Sequence, residues 1–139
     1  MSSEVRTFAS LRVGDIASLS RTVTAKDVAS FAGISGDYNE LHADTSYART
    51  TQFEQKVVHG MFLGALVSQL VGMQLPGKYC LLVKETLEFK KPVFIGDTIV
   101  VMGKISRKTN ALQLLDIAID IKRDTDVVAT GTVFARVLQ

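Results

Sequence analysis

The sequence predicts an α+β domain in which an antiparallel five-stranded sheet wraps around one long apolar helix. Two observations carry this. Hydrophobic residues recur at helical spacing up to about Leu75 and alternate as in strands from about Tyr79 onward. From His59 to about Met73, moreover, Met61, Phe62, Leu63, Ala65, Leu66, Val67, Leu70, Val71 and Met73 leave only Ser68 and Gln69 polar, which marks a helix buried on every side. That run falls short of the roughly 20 apolar residues a bilayer crossing needs, and glycines interrupt it, so no membrane span is expected.

Taken in order, a first strand is expected near Ser18 to Val23. Thr24, followed three positions later by Asp27, has the form of a capping box, so a helix starts there. Val28, Phe31 and Ala32, with Ile34 near the end, make its buried face, and Gly33 and Gly36 end it before Asp37. The polar stretch Gly36 to Asp44 then reads as a loop, followed by a short helix from Thr45 to Arg49. Within the long apolar helix, Gly64 and Gly72 each cost about 1 kcal/mol against alanine, so another backbone is expected close to them, and a surrounding sheet would supply it. The remaining strands are expected at Cys80 to Lys90, Thr98 to Arg107, Ala111 to Arg123 and Val127 to Leu138. Turn signals at Gly96-Asp97, Thr109-Asn110 and Asp124-Thr125 separate the last three from what precedes each. In the segment from Ala111, Leu115, Ile117, Ile119 and Ile121 fall on one side and Asp116, Asp120 and Lys122 on the other, as in a sheet with one wet face.

Composition narrows the function classes. The 139 residues have the length of one domain, residues 1–139, with no room for a separate cofactor domain. A charge of +2 is carried by scattered basic singles and pairs, such as Lys90-Lys91 and Arg107-Lys108, without interleaved aromatics. That is a solvated surface and not a nucleic-acid-binding stripe. The one cysteine, Cys80, lies between Tyr79 and Leu81 and reads as a buried structural thiol in a reducing compartment. Met1 to Ser10 lacks the apolar run of a secretory signal, which points to the cytoplasm or an organelle matrix.

Few residues are placed to do chemistry. Asp37 and His42 stand five positions apart in a glycine-bracketed loop that can turn both inward. Adding water to a double bond conjugated to a thioester needs a base for the water and an acid for C2, and a carboxylate with an imidazole suits both tasks. In isolation the same stretch reads as turn formers with His42 at the surface. No metal or cofactor is expected: His42 stands where a calcium loop requires glycine, no His/Cys set has zinc spacing, and no phosphate-cradling glycine loop is present. Gly60, at the entry of the apolar helix, has a backbone N–H without an intrahelical partner, which would suit a developing oxyanion; equally, the glycine is small because the fold is tight there. His59 reads as a structural hydrogen bonder before a third catalytic group, and Ser68 as a residue bonding back along its helix or facing the site.

In combination, the segments Phe31-Ala32-Gly33-Ile34-Ser35-Gly36-Asp37-Tyr38-Asn39-Glu40-Leu41-His42, Val58-His59-Gly60-Met61 and Gln74-Leu75-Pro76-Gly77-Lys78 resemble the MaoC-like, (R)-specific enoyl-CoA hydratases, with similarity from Leu19 to Leu138. The resemblance is to the short single-domain members that supply (R)-3-hydroxyacyl-CoA, for example to polyhydroxyalkanoate synthesis. It implies a hot-dog fold, a trans-2-enoyl-CoA substrate and a homodimer that joins two sheets. Asp37 and His42 match the family's catalytic dyad, Gly60 its oxyanion donor, Ser68 a supporting serine and Asn39 a loop-orienting residue. Glu40 departs from the pattern, which has proline there, and this bears on the rigidity of the loop. Rival readings are a 3-hydroxyacyl-acyl-carrier-protein dehydratase, a hot-dog thioesterase and a non-catalytic acyl-CoA-binding module.

Overall fold

A computed structural model describes residues Met1–Gln139. The first strand, β1 (Ile16–Thr22), leads through Val23 into helix α1 (Ala25–Ser35). Thr24 caps α1 with the reciprocal bonds expected: its hydroxyl accepts from the Asp27 N–H, and the Asp27 carboxylate accepts from the Thr24 N–H. Gly36 closes the helix in the left-handed conformation, φ 74°. Val28 and Ala32 are buried, but Ile34 is 86% exposed. It lies about 200° round the helix from Ala32, off the face that it was expected to extend.

The segment from Gly36 to Asp44 is not loop throughout. Asn39 caps a one-turn helix, α2 (Glu40–Ala43), and Asp44 caps the next, α3 (Thr45–Thr50). Two side-chain acceptors three or more residues apart each satisfy a helix-start N–H, and so break the polar run into two turns of helix. Glu40 occupies the first position of α2, where proline is favoured and an acidic side chain also suits the helix dipole.

The long apolar helix α4 (Gly60–Met73) is followed by β2 (Cys80–Phe89), β3 (Thr98–Thr109), β4 (Leu114–Arg123) and β5 (Asp126–Val137). All pairings are antiparallel, in the order β1-β3-β4-β5-β2, so β1 and β2 are the edges. β3 runs two residues beyond Arg107, and β4 starts at Leu114 because Asn110–Leu112 form a 3-10 turn and Gln113 takes the left-handed conformation. Leu115, Ile117, Ile119 and Ile121 are all buried, each at most 2% exposed, against Leu63, Leu66, Val67, Leu70 and Val71 of α4. Burying such a side chain is worth about 1.5–3 kcal/mol, and this layer is the core.

α4 is covered on one side only. Met61, Ala65, Ser68 and Gln69 form an exposed stripe at helical spacing. Nor does a backbone approach its glycines. A side chain at Gly64 would meet the Glu85 and Leu87 side chains, and at Gly72 nothing within 4 Å. The close approach is made by the sheet: a Cβ on Gly103 of β3 would stand 2.9 Å from Leu70 Cδ2. The strand, not the helix, yields the space. Cys80 is half-buried, and burial pushes its thiol up to about 11, which keeps it unreactive. No helix is long and apolar enough to cross a membrane.

Candidate active site

The site is assembled from two chain segments that meet at the N-terminus of α4. On the first, Asp37 follows Gly36 directly; its N–H donates to Ser35 Oγ at 3.1 Å and its Oδ1 accepts from the Asn39 N–H at 3.1 Å. Asn39 Oδ1 accepts from the Leu41 N–H at 3.0 Å, so this amide fixes the start of α2 and with it the direction of His42. On the second segment, Val57 donates to the Leu41 carbonyl at 3.1 Å and Val58 to the Val93 carbonyl at 2.8 Å, which holds Val57 and Val58 between α2 and the connection from β2 to β3.

His42 reaches across, its Nδ1 lying 2.6 Å from the Val57 carbonyl. A carbonyl only accepts, so the proton is on Nδ1 and Nε2 carries the free lone pair. His59 reaches back, with Nε2 2.9 Å from the Asp37 carbonyl. The two imidazoles stack, centroids 4.0 Å apart at 26°. A carboxylate oxygen of Asp37 and ring nitrogens of His42 and His59 lie within 4.8 Å of one another. Asp37 is exposed, His42 half-buried and His59 buried. A water hydrogen-bonded to both Asp37 and His42 fits this separation, at about 2.8 Å from each. A metal ion fits it poorly: ring lone pairs lie in the ring plane, and those of two face-stacked rings run side by side and do not converge on a point about 2.1 Å from each.

His42 and Gly60 share the wall of a cavity of about 370 Å³ with Phe53, Leu63 and Phe89, and with Lys90 and Lys91 among its polar residues. A Cβ on Gly60 would lie 3.0–3.2 Å from the Phe89 ring, so the two readings of this glycine hold together: the position is tight and it faces the cavity. On the far side of Phe89, Met61, Glu85, Thr86 and Leu87 line a second cavity of about 370 Å³. Glu85 Oε1 has no hydrogen-bond partner there, and burial raises its carboxyl above the ordinary range. Ser68 stands apart from the other expected site residues, two turns and about 12 Å along α4, on the exposed stripe. Phe89 was not singled out in the sequence, because in an alternating strand it reads as one more sheet residue.

An antiparallel sheet folded over one helix, with a carboxylate and two imidazoles gathered at the helix entry, is the architecture of a hot-dog-fold protein of the hydratase/dehydratase class. Residues 15–126 match the model of the MaoC-like domain, and the chain belongs to that family. An (R)-specific enoyl-CoA hydratase from Aeromonas caviae is 50% identical over 90 residues, 65% of this chain and 67% of the relative. The solved structure of the A. caviae (R)-hydratase involved in polyhydroxyalkanoate (PHA) biosynthesis superposes with a TM-score of 0.89 at 37% identity, covering 92% of this chain and 98% of that one. An unliganded R-hydratase from Pseudomonas aeruginosa gives a TM-score of 0.90 at 32% identity, covering 94% and 84%.

Proposed function

We propose that the protein is an (R)-specific enoyl-CoA hydratase, reversibly adding water to trans-2-enoyl-CoA to give (R)-3-hydroxyacyl-CoA. The observation that carries the reading is the His42 hydrogen bond: with Nδ1–H given to Val57, Nε2 is left as the acceptor, on a ring that lines the same cavity as Gly60 and has a nitrogen within 4.8 Å of an Asp37 carboxylate oxygen. The Gly60 N–H, at the positive end of α4, polarises the thioester carbonyl. Water held by Asp37 and His42 attacks C3, the C2–C3 π pair moves toward the carbonyl, and the enolate closes as C2 takes a proton. The pair handles both the proton leaving water and the one reaching C2, as a coupled unit. Asn39 keeps the loop in place through α2.

Lys90 and Lys91 at the cavity wall suit the phosphates of coenzyme A. The substrate-binding form is a homodimer joined along β2, an edge strand that leaves Leu81, Leu82, Val83 and Phe89 exposed next to the open stripe of α4. Ser68 reaches a substrate only from that stripe, so its supporting role belongs to the dimer. A reducing setting, cytoplasm or organelle matrix, suits the single free Cys80.

The test is loss of enoyl absorbance with crotonyl-CoA and a C8 homologue, with product stereochemistry resolved. Folded Asp37→Asn and His42→Ala variants are each expected to lose about two to four orders of magnitude in kcat, with (R) product from the wild type. Faster turnover of the carrier-protein thioester would move the reading to a dehydratase of fatty-acid synthesis. Free-thiol release would mean a thioesterase, and stoichiometric binding without turnover a binding module.

A further inference from the structure

We propose that His59 is a positioning residue for this hydration, holding Asp37 by its main chain and His42 by its ring; the proposal rests on the hydratase reading above. Of the 32 buried residues, His59 alone is polar, at 2% exposure. Its Nδ1 has no hydrogen-bond partner, an unfavourable state for a buried acceptor that a phenylalanine or leucine would avoid. Core packing therefore does not account for an imidazole here.

The hydrogen bonds assign its tautomer. Nε2 faces the Asp37 carbonyl and must carry the proton, so Nδ1 is a bare lone pair. His42 has the opposite arrangement, with its proton on Nδ1 toward Val57. Each histidine thus ties its own segment to the other's: His42 joins α2 to the strand-like stretch before α4, and His59 joins that stretch back to the loop of Asp37. The two straps cross with their rings in face contact, 4.0 Å between centroids. Phe31 packs against His59 from another side, centroids 4.9 Å apart at 57°, so the lower ring is itself clamped. A half-turn of the His42 ring would put Cδ2 in the place of Nδ1 and Cε1 in the place of Nε2, break the bond to Val57 and turn the lone pair away. The His59 face holds the ring against that rotation, and the His59 N–H keeps the Asp37 backbone from drifting. The two reacting groups are thereby fixed relative to each other by one buried side chain that is not part of the cavity wall.

The two tasks separate in two substitutions. His59→Gln keeps an N–H at about the reach of Nε2 and loses the ring; His59→Phe keeps a ring and loses the N–H. With crotonyl-CoA, His59→Phe is expected to lower kcat about 100-fold while KM stays within about threefold, since a displaced reacting group costs rate and the cavity is untouched. His59→Gln is expected to restore kcat to within about tenfold of wild type, with ¹⁵N spectra showing His42 as a mixture of ring tautomers where the wild type shows Nδ1–H alone. Wild-type kcat in folded His59→Phe, or folded His59→Gln no better than His59→Phe, would overturn the proposal. The ¹⁵N signature needs no turnover. If the wild type hydrated nothing, the hydratase reading would fail, while an unaltered His42 tautomer in His59→Gln would separately remove the positioning role. Should His59→Phe not fold, the same spectrum of His59→Gln decides.

Discussion

Two residues near the site make opposite demands on their surroundings. Gly60 must leave room, since the Phe89 ring lies where its Cβ would be. The ring stands at the exposed end of an edge strand and can shift, so Gly60→Ala is expected to fold with nearly unchanged Tm. The added methyl crowds the approach to the Gly60 N–H, and kcat/KM with crotonyl-CoA should fall by about 10- to 100-fold. Glu85 instead lacks a partner. Burial raises its carboxyl in the folded protein, so the folded state binds this proton more tightly than the unfolded chain does. The resulting contribution is complete at pH values below the ordinary carboxyl range and is lost as pH climbs through the raised value. Glu85→Gln should therefore raise Tm at about pH 7, with the gain shrinking toward about pH 4, as scanning calorimetry across that range would register.

At the scale of elements, the join between α1 and α2 sets the position of Asp37. Thr24 and Gly36 cap the two ends of α1, and each contributes about 1 kcal/mol: the first by a side-chain acceptor, the second by adopting φ 74° without the strain a Cβ brings. Their effects on catalysis should part company. Thr24→Ala and Gly36→Ala are expected to lose similar stability in urea titrations, about 1 kcal/mol, but only Gly36→Ala should also lower kcat, because the strained turn leads straight into Asp37. Equal kcat in the two variants would mean that the loop is placed by His59 and Asn39 alone.

The whole molecule leaves two surfaces unfinished, the β2 edge and the outer stripe of α4. In the proposed homodimer these are one continuous interface. Val83, exposed at the bulge of β2, contributes little to the protomer's own packing, so Val83→Lys should leave the far-ultraviolet spectrum unchanged. Sedimentation velocity at micromolar concentration should nevertheless show the wild type at twice the chain mass and the variant shifted to monomer. A monomeric wild type would remove the dimer and, with it, the route by which Ser68 serves the site.

The periodicity of the chain determined the architecture, because burial of one face acts on residues close in sequence: the change from helical to strand spacing, the Thr24 capping box and the inward set from Leu115 to Ile121 all stand as read. The family resemblance of the motif residues put Asp37, His42 and Gly60 in one proposed site. What the sequence left undecided depends on contacts between distant segments. Ile34 points outward because the turn count of α1 ends elsewhere, and α4 keeps an open stripe because the sheet covers only one side. Gly103, not Gly64 or Gly72, yields the space for α4. His59 became part of the site only when folding stacked it on His42, and Phe89 only when β2 laid it over Gly60. Spacing along a chain reports which side of an element a residue occupies; which ring faces it across the core, and which nitrogen keeps its lone pair, are set by the tertiary fold alone.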